Sequence, residues 1–222
     1  MKILVINGSP KGKYSITLQH TNYLQILHPE HEFDILHAGQ SIKALEKDFT
    51  PALEAFNWAD LLLFSYPVYT FIAPSQLHYF ISLMKQSGMD FSQKYVTQIT
   101  TSKHFYDITA HKYVEANCAD MGMKIIKGLS ADMDDLTTAK GQKDAEEFFK
   151  LVLWSCENDY YESVIAPAKA KKPVKVTPAE VNIAKSQGEV VIVTDATEKD
   201  VQIKAMIERF RLSLAMNSKV VN

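Results

Sequence analysis

The sequence predicts an α/β domain on a doubly wound, five-stranded parallel sheet in the order 2-1-3-4-5, with a C-terminal βα extension. Three observations predict it. Short β-rich runs alternate with helical stretches, the pattern of a parallel sheet covered on both faces. The run at residues 60–66, DLLLFSY, is apolar at successive positions, which suits a central strand with no solvated face. Right-handed crossovers between consecutive βα units leave few topologies, and five strands at this spacing favour the stated order.

Residues 3–7 form the first strand and 33–37 a weaker second one, after which a polar stretch leads into a helix over 45–58. Strand three is 60–66. Leu77, Phe80, Ile81 and Met84 fall at i, i+3, i+4 and i+7, so one face of a helix over 74–86 can lie on the sheet, with Pro74 in its first turn. Strand four covers 95–100. Val114, Cys118 and Met121 repeat a helical spacing over 109–122, where Gly122 is a natural stop. Strand five covers 124–129, and Ala145, Phe148, Phe149, Val152 and Cys156 mark the helix behind it.

The character changes after Tyr161. Residues 166–178, APAKAKKPVKVTP, hold three prolines and four lysines with little to bury, and read as a linker or exposed arm. Thr177-Pro178-Ala179-Glu180 then has capping-box spacing and opens a short helix that Gly188 can end. A strand over 190–194 and a helix carrying Ile203, Ile207, Phe210 and Leu214 follow. A lone strand leaves its backbone groups unpaired when buried, so it must extend the first sheet, pair with another chain, or open a second α/β domain cut short. The last is favoured. The division is therefore a domain over 1–163, a linker over 164–178 and an α-β-α extension over 179–222.

Composition excludes several classes. Lys and Arg number 24 against 26 Asp and Glu, so nucleic acid has no electrostatic footprint here. No apolar run approaches the roughly 20 residues of a spanning helix, and the short apolar start reads as a first strand, not a secretory signal. No membrane partner and a cytoplasmic location are expected. Two distant cysteines, Cys118 and Cys156, lack a C-x-x-C spacing and read as buried free thiols.

The stretch INGSPKGKYSIT, residues 6–17, carries the chemistry. A strand ending at Asn7 and a helix starting near Tyr14 or Ser15 leave Gly8-Ser9-Pro10-Lys11-Gly12-Lys13 as a βα loop at the carboxyl end of the sheet. Unpaired first-turn amides, the helix dipole and the hydroxyls of Ser9, Ser15 and Thr17 suit a phosphate. An ordinary capped turn is the competing reading. Gly8 and Gly12 are four apart and Lys13 precedes Tyr14, so the P-loop pattern fails. Ser9 and Pro10 stand where the dinucleotide fingerprint needs a second glycine, which favours one terminal phosphate over a diphosphate.

Gly8-Ser9-Pro10-Lys11 with Ser15 and Thr17 resembles the flavin-phosphate loop of the flavodoxin-like NAD(P)H-dependent oxidoreductases, which include FMN reductases and NAD(P)H:quinone reductases. A second stretch, Tyr66-Pro67-Val68-Tyr69-Thr70-Phe71-Ile72-Ala73-Pro74-Ser75-Gln76-Leu77, resembles that family's P-x-Y segment beside the isoalloxazine ring. The resemblance covers roughly residues 1–160. It implies a flavodoxin-like fold, bound FMN, NAD(P)H as transient co-substrate and a small-molecule electron acceptor such as a quinone or flavin. Ser9, Pro10, Lys11, Ser15, Ile16 and Thr17 would hold the phosphate, and Pro67, Val68, Tyr69, Thr70 and Phe71 would line the ring. Independently of the family, a flat ring with polar edges needs backbone amides and apolar surface, both of which residues 67–71 offer.

The third loop, after strand four, would complete the crevice at the switch point. The resemblance implies backbone contacts to the pyrimidine side of the flavin from Thr101, Ser102 and Lys103, with Lys103 stabilising a reduced anionic ring. His104 and Tyr106 are candidates for relaying a proton. Asp132, Asp134 and Asp135 are better explained by helix capping than by a metal, and no metal site is assigned. A hydrolase triad lacks its G-x-S-x-G elbow. Donor and acceptor sharing one ring face in turn would give ping-pong kinetics, and a homodimer is expected from family habit and the unpaired C-terminal strand. The rival is a flavodoxin-type electron carrier, which the net charge of −2 disfavours because carriers are strongly acidic.

Overall fold

A computed structural model describes residues 1–103, 107–162 and 190–215, with side chains as far as Ser213. The chain divides into two compact units, Met1–Ala166 and Pro167–Asn222.

In the first unit, strands β1 (Lys2–Asn7), β2 (Glu32–Leu36), β3 (Leu61–Pro67), β4 (Tyr95–Ser102), β5 (Lys124–Ile125) and β6 (Leu129–Asp132) form one sheet. Its order is β2-β1-β3-β4-β5, with β6 also paired to β4, and every ladder is parallel. The doubly wound flavodoxin-like order expected from the sequence is thus present. Helices α1 (Ile16–Leu27), α2 (Ile42–Lys47), α3 (Thr50–Trp58), α4 (Ser75–Gln86), α5 (Ile108–Asp120) and α6 (Ala139–Glu157) connect the strands.

Strand periodicity divides the core. Leu4 and Ile6 of β1 and Leu62, Phe64 and Tyr66 of β3 join the α2 to α5 side. Ile3 and Val5, with Leu61 and Leu63, face α1 and α6. Each buried Leu, Ile or Phe contributes roughly 1.5–3 kcal/mol, so the central position of β3, buried on both faces, follows from its composition. Leu77, Phe80, Ile81 and Met84 are all buried, as their spacing predicts. Gly122 ends α5 with φ +80°. Cys118 is buried and Cys156 half-buried, both free. Burial raises both thiols, Cys156 to about 12, so neither is a thiolate at neutral pH.

Three expectations are corrected. The helix expected over 45–58 is two helices, because Asp48 accepts from the Thr50 amide at 3.0 Å and Pro51 sits in the first turn of α3. The fifth strand is interrupted: residues 126–128 stand against only 97 and 98 of β4, a bulge. At Gly128 the backbone comes so close that a Cβ would lie 2.3 Å from the Gln98 side chain.

The third correction lies in the second unit. Residues 190–197 form neither strand nor helix and pair with no strand among the described residues, and Val191 and Val193 stay exposed. The helix α7 (Val201–Ala215) does form, as expected. The capping box at 177–180 and the arm before it lie outside the described residues.

Candidate functional site

β1 delivers the chain to Asn7, whose side chain organises the turn that follows. Its Oδ1 accepts from the Ser9 amide at 3.1 Å, and its Nδ2 donates to the Gly12 carbonyl at 2.9 Å. The same Nδ2 lies 3.0 Å from Nδ1 of His37. Gly12 has φ +54° and would place a Cβ 2.1 Å from the Gln40 side chain, so glycine is strongly favoured. One short 3-10 turn, Gly12–Tyr14, precedes α1, which puts Ser15 at the N-cap. Gly39 presses from the other side: its amide donates to the Asn7 carbonyl at 2.9 Å, and a Cβ there would lie 2.3 Å from the Gly8 carbonyl oxygen.

Within this cradle Ser9, Ser15 and Thr17 are all buried. Ser9 Oγ accepts from the Lys11 amide at 3.2 Å, and Lys11 is exposed. Ser15 caps nothing, and its Oγ is buried without a hydrogen-bond partner. Buried hydroxyls are nearly always paired. An N-cap hydroxyl without a partner, beside free first-turn amides at the positive end of α1, matches the donor set of an anion site.

Thr17 also reaches across the site: its Oγ1 lies 2.6 Å from Oγ1 of Thr101. Thr101 also accepts at its carbonyl from the Val68 amide at 3.0 Å. This one residue of β4 therefore joins all three expected loops.

Residues after β3 fold into a tight turn in which the Tyr69 amide donates to the Ile72 carbonyl at 3.0 Å and the Phe71 amide to the Tyr69 carbonyl at 2.8 Å. Tyr69, Phe71 and Ile72 are exposed together, an apolar surface suited to a flat ring. The expected supply of backbone amides is smaller than the sequence implied. Val68, Tyr69, Phe71 and Ile72 spend theirs internally and Pro67 has none, which leaves Thr70. Its φ is +61°, strained for a β-branched residue.

In the third loop, Ser102 accepts at its carbonyl from the Met133 amide at 3.2 Å. Lys103 donates to Asp132 at 3.3 Å and to Asp134, and these bonds, Asp134 first, raise its pKa. Its ammonium is thus engaged by acids. Asp135 accepts from the Asp132 amide at 2.8 Å, while the cap of α6 is Thr138, bonded from the Gly141 amide at 3.0 Å. The acids brace the turn and Lys103, and do not cap the helix. His104 and Tyr106 lie outside the described residues.

Sequence reasoning missed a partly buried polar cluster at the end of β4. Asp107 Oδ2 accepts from Thr100 at 3.0 Å and from Ser130 at 2.5 Å, and Thr100 Oγ1 lies 2.8 Å from His111 Nε2. Thr100 has one proton, given to Asp107, so His111 Nε2 carries its hydrogen and donates. Burial lowers the His111 pKa, partly opposed by Glu115 and Asp107. The signal was legible: Asp107 and His111 are four apart at a helix start, so they share a face. Asn7 and Gly39 were missed as well, since neither belongs to a phosphate-loop pattern.

These features define an α/β protein whose first loop, at the switch point of a doubly wound sheet, carries the donor set of an anion site. The family described as having a flavodoxin-like fold matches residues 1–149, and the chain belongs to it. No curated protein matches the chain. Among solved structures, it is similar to an apo NADH:FMN oxidoreductase, EMOB, at 18% identity and TM-score 0.58, covering 74% of this chain and 91% of that one. An FMN-dependent NADH-azoreductase from Bacillus anthracis str. Ames Ancestor in complex with FMN aligns at 13% identity and TM-score 0.53, over 72% of this chain and 100% of that one. A putative quinone reductase from Klebsiella pneumoniae does so at 16% and 0.51, over 69% and 85%. Likeness at this identity establishes the shared fold.

Proposed function

We propose that the chain is an FMN-dependent oxidoreductase that takes electrons from NAD(P)H and delivers them to a quinone, flavin or similar small acceptor. The observation that carries this reading is the unpartnered, buried Ser15 hydroxyl at the N-cap of α1. A terminal phosphate supplies the acceptor that this hydroxyl and the first-turn amides lack. The names of fold neighbours that carry FMN and NADH support the choice of ligand.

The residues present fit the group. Ser9 and Ser15, with the amides around them, would hold the phosphate, and the exposed turn at 67–71 would cover a ring face. Bound flavin would supply two-electron chemistry between nicotinamide and acceptor. Thr17, Thr101 and Val68 fix the mutual position of the three loops. His111 Nε2 holds a proton on Thr100, and Asp107 fixes the Thr100 hydroxyl, which keeps the strand end rigid. The Tyr69, Phe71 and Ile72 side chains exclude water from whatever stacks on them. A homodimer and a cytoplasmic location, without nucleic-acid or membrane partners, belong to the same reading. The near-balanced charge supports it, and no helix among the described residues is long and apolar enough to cross a membrane.

The test is the absorbance spectrum of protein purified without added cofactor, followed by NAD(P)H consumption with menadione or ferricyanide. Flavin bands released as FMN and steady turnover with parallel initial-rate lines are expected. Bands without turnover would instead leave an electron carrier. Ser15→Ala should weaken FMN by about tenfold to a hundredfold, the value of a hydrogen bond to a charged group at about 1.5–3 kcal/mol. Unchanged affinity removes the proposal's basis.

A further inference from the structure

The turn between α1 and β2 gathers a second set of ligand atoms, at the opposite end of the sheet from the loops above. α1 ends at Leu27 and β2 begins at Glu32, whose register partner is Lys2 at the start of β1. The intervening His28-Pro29-Glu30-His31 reverses the chain there, and the His31 amide donates to the His28 carbonyl at 3.1 Å. One ring nitrogen each of His28 and His31 and a Glu30 carboxylate oxygen all lie within 4.8 Å of one another. His28 Nδ1 is 3.1 Å from Glu30 Oε1, and His31 Nε2 is 3.7 Å from the same oxygen.

Those separations suit a metal. A tetrahedral ion with bonds of about 2.0–2.2 Å needs ligand atoms about 3.3–3.6 Å apart. The two edges bracket that range, and the third lies within 4.8 Å.

The rings are also held before any ion arrives. His28 and His31 pack 4.9 Å and 6.4 Å, centroid to centroid, from Phe149 of α6, which is fully buried. Their own planes are near parallel, at 20°. The His28 amide is fixed to the Leu24 carbonyl at 3.0 Å as the end of α1. Packing of this kind reduces the side-chain entropy lost on ligation.

Ligand type agrees. Two neutral imidazoles and one carboxylate carry −1, and a nitrogen-rich set selects the zinc class over magnesium or calcium. The Met1 amino group, 3.4 Å from His31 Nδ1, opposes the ion and cancels that charge when protonated, so the imidazole nitrogens carry the selection. Among the described residues this is the one trio of His, Cys, Asp or Glu with such spacing.

We infer that His28, Glu30 and His31 form a zinc-class metal site that staples the end of α1 to the start of β2, with its fourth position open to water. The site is independent of the flavin reading, being built on other residues at the other end of the strands.

The test uses the untagged full chain, stripped with chelator and titrated with Zn²⁺ by calorimetry and with Co²⁺ by visible absorbance. One equivalent should bind, with a rise in melting temperature. His31→Ala and Glu30→Gln should each weaken binding at least tenfold. Glu30 is a surface side chain, so Glu30→Gln keeps the fold, checked by far-UV circular dichroism. Cys156→Ser should bind as the wild type does. No saturable uptake, or uptake unchanged in both Glu30→Gln and His31→Ala, overturns the site.

Discussion

Thr17 and Thr101 meet hydroxyl to hydroxyl at 2.6 Å across 84 positions of sequence. Both are buried. One belongs to the first turn of α1 and the other to the end of β4, so a single hydrogen bond ties the anion loop to the third loop. The Val68 amide on the Thr101 carbonyl adds the second loop.

That bond makes a coupling prediction. Thr17→Val and Thr101→Val each leave one buried hydroxyl unpaired, which costs about 1–3 kcal/mol. The double variant removes both groups at once. It should therefore be less destabilised than the sum of the singles, as read from a urea double-mutant cycle. Strict additivity would mean that the hydroxyls do not interact.

Much of this arrangement was legible because strand and helix periods record burial directly. Leu77, Phe80, Ile81 and Met84 announce the buried face of α4, and residues 60–66 announce β3. The first loop was legible through Gly8, Ser9 and Ser15, residue types that serve a turn at a helix start. The Thr17 to Thr101 bond was not, since no local pattern encodes a contact between residues far apart in sequence. The bulge before β6 was hidden for a similar reason: Gly128 is needed only because Gln98 of another strand lies against it. The 190–194 run shows the converse error, for Val190 to Val193 have strand character but no strand partner among the described residues.

Gly39 is the position where one methyl group should matter most. A Cβ there would stand 2.3 Å from the Gly8 carbonyl oxygen and 2.6 Å from the Ser9 carbonyl carbon. Both are backbone atoms that no rotamer change can move. Gly39→Ala should displace the anion loop, lowering FMN affinity more than tenfold and reducing the melting temperature. A variant that binds FMN like the wild type would show that the loop gives way freely.

Thr70 carries strain of a different kind. Its φ of +61° costs a non-glycine residue about 1–2 kcal/mol, while glycine gives back roughly 0.5–1 kcal/mol in unfolded-chain entropy. Thr70→Gly should accordingly be neutral to about 1.5 kcal/mol more stable by denaturant titration, although it removes a side chain. Marked destabilisation would show that the Thr70 side chain, and not its backbone, holds the turn.

Among the histidines whose pKa burial depresses, buried His20 and half-buried His111 contribute to the acid limit. His20 is buried and its pKa is lowered first by burial, against the opposing Ile16 backbone and Asp135 charge. His111 is lowered in the same way, against Glu115 and Asp107 and with Lys112 adding to the depression. An unfolded histidine titrates near about 6.5, so on acidification the unfolded chain binds protons before the folded one does. Stability is then complete above about pH 6.5 and falls as pH drops toward the depressed folded-state values. The urea midpoint should be lower at pH 5.5 than at pH 7.5, a window in which ordinary carboxylates stay ionised. His20→Gln removes one of the two groups and should flatten part of that slope. An unchanged slope in His20→Gln would assign the acid sensitivity to other groups.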